Sequence, residues 1–436
     1  MSKRIKFQTP KGMRDILPKD QAYWLMVRNA FEIYSKEFGF DRIDTPILED
    51  EALFIKGTGE QTDIVEKEMF TLTTKGRDRL TLRPEFTPAV MRAYLENGFT
   101  RKPSPVKLFS IGPIFRYERP QKGRWRQAHQ ANFEIIGEQD PIFDAQLIQL
   151  FFFISKKLGL KKIITQINSI GCGECRPDYR RSLTSFLRSR KAGLCDDCQK
   201  RLQKNPLRIL DCKQQKCKTI VEEVPQILDF LCSACHNHFK GVLEYLDELD
   251  IPYLLDSRLV RGLDYYTKTV FEIGIEGSPS GVLGVNSRPS LAGGGRYDSL
   301  IKLLGGRDKP SVGFAAGLDR IVDLMKEQDV KMPPKSKSII FLIQLGDLGK
   351  KKSLKLFESL IEAGLEVASS PSRRGITAQL KLANKLKARF ALILGQKEAL
   401  DESIIIRDMN TGDQKTIPIN KMISELKKRV REIEKK

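Results

Sequence analysis

Two long extended segments on either side of a short basic turn are the feature that most constrains the fold of this chain. Residues 106–117 and 126–136 interleave apolar with polar side chains, and the stretch between them contains Pro120 and Gly123. Alternation with a period of two is typical of strands, and proline and glycine in a short connection are typical of turns. The sequence therefore predicts a long antiparallel hairpin.

This hairpin carries an unusual set of polar residues. Side chains two apart on a strand share a face, so Arg116 and Glu118 are predicted on one side of the first strand. On the partner strand, Gln130, Asn132 and Glu134 share a face in the same way. Such groups are costly to bury without partners or ligands, so the face is either solvated or the polar floor of a binding site. The connecting loop adds the cations Arg119, Lys122, Arg124 and Arg126, which are suited to phosphate binding.

Periodicity and capping residues predict the elements around the hairpin. Asp20 and Thr87 are candidate helix N-caps, and Pro46 interrupts an otherwise strand-like segment. Helices are predicted over about 20–39, 87–97 and 317–326, and strands over 42–48, 265–275, 339–344, 365–368 and 390–394. The last three strands alternate with helical stretches, which indicates a small α/β domain after a proline-containing linker at 331–337.

Length and composition predict a multidomain α+β protein. The 436 residues suggest about three domains at about 150 residues each. All eight cysteines fall between Cys172 and Cys235, so we expect an inserted module at 170–240 between core segments 1–169 and 241–330, with the small domain at 338–436. No apolar run approaches the ~20 residues that span a bilayer, and the N-terminus lacks a signal region, so we expect a cytoplasmic protein without a membrane partner.

The charge balance favours a polyanionic partner. Seventy-five Lys and Arg face 55 Asp and Glu, which gives a formal charge of +20. Nucleic acid is the first candidate partner, although a solvated basic surface would produce the same balance.

Three further motifs accompany the hairpin. Arg261-Gly-Leu-Asp-Tyr265-Tyr266 places a guanidinium, a carboxylate and two phenols close together. The runs 293–297 (GGGRY) and 313–320 (GFAAGLDR) place small residues ahead of Tyr297 and Arg320, so that a planar ligand could approach the backbone. Neither run is a Walker loop or a dinucleotide fingerprint, and glycines of this kind also serve ordinary turns and packing.

The motifs together resemble a known family. Residues 38–46, 115–118 and 313–320 look like the three ordered motifs of class II aminoacyl-tRNA synthetases, and residues 11–18, 82–85, 119–124 and 261–266 resemble the histidyl-tRNA synthetases within that class. The resemblance implies a catalytic core of about six antiparallel strands with helices, a C-terminal anticodon-binding domain, and a homodimer formed partly through the Pro46 segment. It also implies histidine-tRNA ligase activity, with ATP and Mg²⁺, L-histidine and tRNA(His) as cofactors and partners.

The resemblance also implies roles for individual residues. Arg261 and Arg116 match catalytic positions that contact the α-phosphate, Arg124 matches an outer-phosphate position, and Arg320 one that stacks on adenine. Gln121 matches the position that meets the extra 5′ guanosine of the tRNA. The histidine site is implied to consist of Glu85, Thr87, Gln130, Glu134, Tyr265 and Tyr266. Among these, the first three take the α-amino group, and Glu134 and Tyr266 hold the imidazole.

The cysteine spacing is typical of zinc sites. The four pairs are Cys172-x2-Cys175, Cys195-x2-Cys198, Cys212-x4-Cys217 and Cys232-x2-Cys235, enough for two structural zinc ions with four thiolates each. His236 or His238 could replace a sulfur. Free or redox-active thiols are the alternative.

Two other functions compete with the ligase. A histidine-sensing paralogue that resembles the regulatory subunit of ATP phosphoribosyltransferase would be expected to lack the C-terminal domain and the catalytic arginines, whereas this chain contains Arg116, Arg261 and Arg320. A zinc-dependent nucleic-acid-binding protein would leave Glu85, Gln130 and Glu134 without a purpose.

Overall fold

The computed structural model describes residues 7–121, 123–277, 290–332, 340–371 and 375–434. The strands are β1 Asp41–Arg42, β2 Leu48–Asp50, β3 Phe70–Thr73, β4 Arg79–Leu82, β5 Val106–Phe115, β6 Gln127–Ile136, β7 Ile163–Ser169, β8 Tyr253–Leu255, β9 Thr267–Ile275, β10 Ala292–Arg296, β11 Ser311–Gly317, β12 Ile340–Gln344, β13 Val367–Ser369, β14 Phe390–Leu394, β15 Ser403–Asp408 and β16 Gln414–Pro418. The helices are α1 Gln21–Glu37, α2 Glu51–Thr58, α3 Thr87–Glu96, α4 Ile142–Lys157, α5 Arg176–Ser189, α6 Asp196–Lys204, α7 Gln215–Val221, α8 Ser233–Glu248, α9 Leu300–Leu303, α10 Leu318–Glu327, α11 Gly346–Glu362, α12 Ile376–Lys385, α13 Gln396–Leu400 and α14 Met422–Glu434. Two compact units result, Met1–Lys331 and Met332–Lys436.

An eight-stranded sheet organises the first unit, in the order β1-β5-β6-β11-β10-β9-β7-β8. The six central strands of this order pair antiparallel with one another. The short edge strands are parallel to their partners, β1 to β5 and β8 to β7. β5 and β6 pair along their whole length, from Val106 opposite Ile136 to Phe115 opposite Gln127. The predicted hairpin and the α+β class are therefore confirmed.

The two faces of this sheet differ because side chains alternate along β6. Phe133 points to the apolar face, where its ring lies 5.0 Å from that of Phe314, 4.7 Å from Phe109 and 6.1 Å from Phe31 of α1. All four rings are buried. The residues next to Phe133, on the opposite face, are Asn132 and Glu134. Packing of the aromatic face thus fixes which side of the hairpin is left for polar residues.

Three local predictions need correction. Asp20 is the N-cap residue of α1, as predicted, but its side chain makes no capping hydrogen bond, and its carboxylate instead accepts a hydrogen bond from Lys326 Nζ at 2.7 Å. Thr87 is the first residue of α3 rather than its cap, which is Phe86. A single strand over 42–48 is wrong, because β1 and β2 lie in different sheets. In the gap between them, the Thr45 carbonyl accepts from the buried Arg83 guanidinium at 2.7 Å instead of from a neighbouring strand.

The alternation predicted for Arg116 and Glu118 is also wrong. β5 ends at Phe115, and the Glu118 N–H donates to the Arg116 carbonyl at 2.7 Å, which makes a tight turn. The two side chains therefore owe their positions to a turn and not to a shared strand face.

The segment that contains the cysteines lies between β7 and β8 and consists of α5 to α8 with short turns. The C-terminal unit has the sheet order β13-β12-β14-β15-β16, in which the first three strands are parallel and the last two antiparallel. Residues 333–337 of the predicted linker 331–337 lie outside the described residues. Among the described residues, no helix combines the length and apolarity needed to cross a membrane.

Candidate active site

The polar face of β6 forms the floor of a buried pocket. Asn132 and Glu134 are 2% and 0% exposed, so this face is not a solvated side of the sheet. Asn132 Nδ2 donates to Glu134 Oε1 at 2.7 Å. Burial raises the pKa of Glu134 to about 8, although Thr87 and Asn132 lower it by hydrogen bonding. The floor therefore contains a carboxyl group that is largely neutral at pH 7.

A second carboxyl group enters the pocket from the turn between β4 and α3. Glu85 is buried, and its oxygens accept from Thr58 Oγ1 at 3.0 Å and from Tyr265 Oη at 2.9 Å. Burial raises its pKa, and the charge of Arg116 opposes that rise. The start of α3 places Thr87 beside Glu134, to which its hydroxyl hydrogen-bonds. Four of the sequence-predicted histidine-binding residues thus converge from different elements, namely Glu85, Thr87, Glu134 and Tyr265.

Aromatic side chains close the pocket. The ring of Tyr265 lies 4.6 Å from that of Tyr266 and 5.5 Å from that of Tyr297, and all three rings are buried. Tyr297 Oη and Glu134 Oε2 both flank the position that a Cβ on Gly313 would occupy. The pocket is therefore polar on the side of Glu134 and aromatic on the side of the three tyrosines.

Three buried polar atoms of this pocket have no hydrogen-bond partner among the described residues. They are Gln130 Oε1, Glu134 Oε2 and Tyr297 Oη. Buried polar groups are nearly always paired, and an unpaired one loses its hydration without compensation. Unpaired polar atoms grouped in one pocket, among them a hydroxyl and a carboxyl oxygen, indicate a site for a ligand that forms hydrogen bonds.

Arg261 lies beside this pocket. Its Nη1 donates to the Glu272 carboxylate of β9, and its guanidinium lies 5.8 Å from the Tyr266 ring centre. Burial lowers the pKa of Arg261, but Glu272 and the two phenols outweigh it and the pKa is raised. The group therefore remains a cation in a partly buried site, where its charge is poorly screened.

Three further arginines meet at the opposite end of the floor. Arg320 donates to the carbonyls of Gly123 at 3.0 Å and Ser290 at 2.7 Å. Burial and the charges of Arg124 and Arg116 lower the pKa of Arg320 to about 10. Such mutual repulsion among cations is typical of a site that binds an anion.

The turn of the β5–β6 hairpin frames this cationic end. Arg116 Nε donates to the Pro84 carbonyl at 2.8 Å, and Arg124 pairs with Glu118 at 3.1 Å. Gln121 is exposed and pairs through its backbone with Arg124, so the structure does not bring it into the pocket. Lys122 lies outside the described residues.

A cavity of about 1050 Å³ adjoins Arg261 and Tyr266. The cysteine-containing segment supplies cations to its lining, namely Arg176, Arg180, Arg181, Arg188, Lys204 and Arg208. These six cations and Arg261 outnumber the lining carboxylate, Asp264, so the cavity is strongly basic. A basic cavity of this size accommodates an extended polyanion better than a small neutral molecule.

The eight cysteines are reduced and fall into two groups of four. All four Sγ atoms of each group lie within 4.8 Å of one another. Each group is complete with four sulfurs and needs neither His236 nor His238. His238 Nε2 lies instead 3.4 Å from Asp144 Oδ1.

Sequence reasoning missed some residues that shape the site. Thr58 hydrogen-bonds Glu85, Glu272 pairs with Arg261, and Arg176 donates to the Tyr266 carbonyl. Glu272 had a detectable signal, because it is the one charged residue within the apolar run 270–273 of a predicted strand. Thr58 and Arg176 lie in segments without a distinguishing pattern.

Comparisons with known proteins agree with this geometry. The model of the histidyl-tRNA synthetase family matches residues 12–321, and that of an anticodon-binding domain matches residues 340–429. A histidine--tRNA ligase of Dehalococcoides mccartyi is 43% identical over 97% of this chain and 100% of its own length. One of Desulfosudis oleivorans is 44% identical over 94% of this chain and 96% of its own. The apo histidyl-tRNA synthetase of S. aureus superposes with a TM-score of 0.79 at 32% identity, covering 96% of this chain and 99% of that one.

A largely antiparallel sheet with arginines grouped at its polar face, followed by an anticodon-binding domain, defines a class II aminoacyl-tRNA synthetase. Within that class, the chain belongs to the histidyl-tRNA synthetase family. The regulatory paralogue is not favoured, since full-length relatives are ligases and the anticodon-binding match covers most of the second unit.

Proposed function

We propose that this chain joins L-histidine to ATP, forming histidyl-adenylate and pyrophosphate, and then transfers histidine to the 3′ end of tRNA(His). One observation carries the proposal. Polar atoms without a hydrogen-bond partner, around Glu134, lie at one end of a buried floor, and the arginine group around Arg320 lies at the other. An amino acid and a nucleoside triphosphate fit these two ends, respectively.

Histidine would lie across the floor of the pocket. Glu85, Thr87 and Gln130 would receive its ammonium group, because the charge of Arg116 favours the ionised form of Glu85 and Gln130 has a carbonyl oxygen without a partner among the described residues. Glu134 and Tyr266 would hold the imidazole. When ionised, a carboxyl group near its pKa can accept a hydrogen bond from the N–H of the ring. When protonated, it can instead donate to an unprotonated ring nitrogen. Amino acids without ring nitrogens would leave these buried groups unpaired, which is the strongest available basis for discrimination.

The adenylation step would then depend on charge placement. A histidine carboxylate oxygen attacks the α-phosphorus in line, the bond to the bridging oxygen breaks, and pyrophosphate leaves. Arg116 and Arg261 would stabilise the charge that develops on the α-phosphoryl oxygens, Arg124 would hold the outer phosphates, and Arg320 would stack on adenine. Glu272 fixes the Arg261 guanidinium in advance, which avoids reorganisation during the reaction.

Mg²⁺ would accompany the triphosphate. Mg²⁺ is usually held by one or two carboxylates together with substrate phosphates, and it prefers oxygen ligands. Within the described ranges, the clusters of three or more potential ligands are the two cysteine groups, whose soft sulfurs do not suit this ion. Oxygen atoms of the substrate phosphates would therefore supply most of the ligands of the ion.

Transfer requires the tRNA 3′ end to reach the adenylate. The basic cavity beside Arg261 and Tyr266 has the charge for this role. Gln121, exposed on the hairpin turn, would meet the extra 5′ guanosine, and residues 338–436 would bind the anticodon. Residues 1–169 and 241–330 would form the catalytic core and 170–240 the insert. We propose further that the protein works in the cytoplasm as a homodimer.

Histidine-dependent exchange of labelled pyrophosphate into ATP, measured without tRNA, tests this proposal. Exchange with histidine and with none of the other standard amino acids is the expected result. Folded protein that binds histidine but shows no exchange would refute the ligase and support a sensor.

A further inference from the structure

The two groups of cysteines combine pairs that are distant in sequence. The base tetrad consists of Cys172, Cys175, Cys232 and Cys235, and the distal tetrad of Cys195, Cys198, Cys212 and Cys217. The base tetrad joins the two ends of the insert, whereas the distal tetrad joins two segments within it. Spacing alone allows several pairings, and the fold selects this one.

The sulfur separations fit a shared metal ion. Cys172 Sγ lies 3.7 Å from Cys175 Sγ and 4.0 Å from Cys232 Sγ, and Cys195 Sγ lies 3.8 Å from Cys212 Sγ. Tetrahedral Zn²⁺ with bonds of about 2.3 Å holds its sulfurs about 3.8 Å apart. A disulfide would need about 2.05 Å. Each tetrad therefore has the dimensions of a four-thiolate zinc site.

Backbone groups around the tetrads favour thiolates. The Cys232 N–H donates to Cys175 Sγ at 3.1 Å, and the Cys195 N–H donates to Cys217 Sγ at 3.2 Å. Helices α5, α6 and α8 begin directly after Cys175, Cys195 and Cys232. Amide donors and helix N-termini both stabilise negative charge, which matters because four thiolates around Zn²⁺ leave a net charge of about −2.

The base tetrad is connected to the histidine pocket through Arg176. This residue follows Cys175 directly, and its guanidinium donates to the Tyr266 carbonyl and to the Ile170 carbonyl, the latter at 3.3 Å. The Ile170 N–H in turn donates to the Lys268 carbonyl at 2.7 Å. The backbone carbonyls of Tyr266 and Lys268 are thus both held by the segment that carries the tetrad.

We propose that each tetrad binds one Zn²⁺ with release of its thiol protons, and that the base-tetrad ion positions Tyr266 in the histidine pocket through Arg176. The distal ion stabilises the insert and leaves that pocket unaffected. The metal assignment is independent of the proposed function, whereas the positioning role rests on the histidine pocket proposed above.

Zinc content of the full chain tests the metal assignment. Mass spectrometry of protein dialysed against metal-free buffer should find two Zn²⁺ per chain, one for each tetrad. Cys172→Ser/Cys232→Ser and Cys195→Ser/Cys212→Ser should each retain one. Cobalt substitution should give the visible absorption of tetrahedral thiolate sites. A zinc-free wild type, or variants that retain both ions, would overturn the assignment.

Calorimetric titration with histidine tests the positioning role without relying on turnover. The Kd should rise about tenfold in the base-tetrad variant, comparable to losing one charge-assisted hydrogen bond, and stay within about twofold in the distal variant. If the base-tetrad variant does not fold, Arg176→Gln carries the test, with zinc content unchanged, a weakened Kd, and partial recovery in Arg176→Lys. Equal weakening by both tetrad variants, or a wild-type Kd in Arg176→Gln, would overturn it. Two zinc ions without pyrophosphate exchange would refute the proposed function alone.

Discussion

Glu134 allows a test of how the pocket affects stability. Its folded-state pKa is about 8, against an ordinary value of 4.5, because burial disfavours the charged form. A raised carboxyl pKa means that the folded state holds its proton more tightly than the unfolded chain. The associated stability is fully present below pH 4.5 and is lost as pH rises through about 8.

The substitution Glu134→Gln removes this titration and keeps an amide oxygen for Asn132. Between pH 4.5 and about 8, each pH unit lowers the wild-type free energy of unfolding by about 1.4 kcal/mol through this group. Relative to wild type, the variant should therefore gain about 3 kcal/mol in free energy of unfolding at pH 7, and almost nothing at pH 4.5. The same change should weaken histidine binding, because the imidazole loses a partner that can become charged.

Urea unfolding at several pH values is the assay. The chain has two tryptophans, Trp24 and Trp125, and both belong to the first unit, so their fluorescence follows the unit that contains the pocket. Glu66→Gln, at an exposed position of the same unit, is the matched control and should change stability little. A difference between Glu134→Gln and wild type that does not change with pH would refute a buried, titrating Glu134.

Three further outcomes are expected. Arg261→Ala should reduce histidine-dependent pyrophosphate exchange by about 10³-fold while tRNA binding in a filter assay stays near wild type, and normal exchange would contradict its assigned role. Glu85→Gln should raise the KM for histidine by about 10- to 100-fold in the same assay, since a charge-assisted hydrogen bond to the ammonium is lost; an unchanged KM would place the ammonium elsewhere. Raising salt should increase the KM for tRNA steeply and the KM for histidine little, because phosphate contacts release counterions; equal salt dependence of the two would argue against a basic tRNA path.

Strand periodicity was sufficient to predict the hairpin and the shared face of Gln130, Asn132 and Glu134. That alternation is a local property of one strand, and the pairing of β5 with β6 preserves it. It failed for Arg116 and Glu118, because where a strand ends depends on the turn that follows, and here a backbone hydrogen bond between these two residues ends the extended segment.

Contacts between distant segments were beyond sequence reasoning. The hydrogen bond from Thr58 to Glu85 and the donation from Arg176 to the Tyr266 carbonyl join elements that only the fold brings together. The same holds for the cysteines, since their spacing predicted paired ligands but left open which pairs would share an ion.

The glycines of β10 and β11 explain why the site fits within a sheet at all. Glycine inside a strand is destabilising by roughly 0.5–1 kcal/mol, yet β10 contains three in succession. A Cβ on Gly293 would collide with the Arg261 guanidinium, and one on Gly313 would collide with the Glu134 carboxylate and the Tyr297 hydroxyl. These strands therefore lose stability at positions where any side chain would displace a charged or polar group of the pocket. Within the triple glycine, which on sequence alone suits any turn, Gly293 makes room for Arg261, whereas a Cβ on Gly294 or Gly295 would collide with a backbone carbonyl of a neighbouring strand.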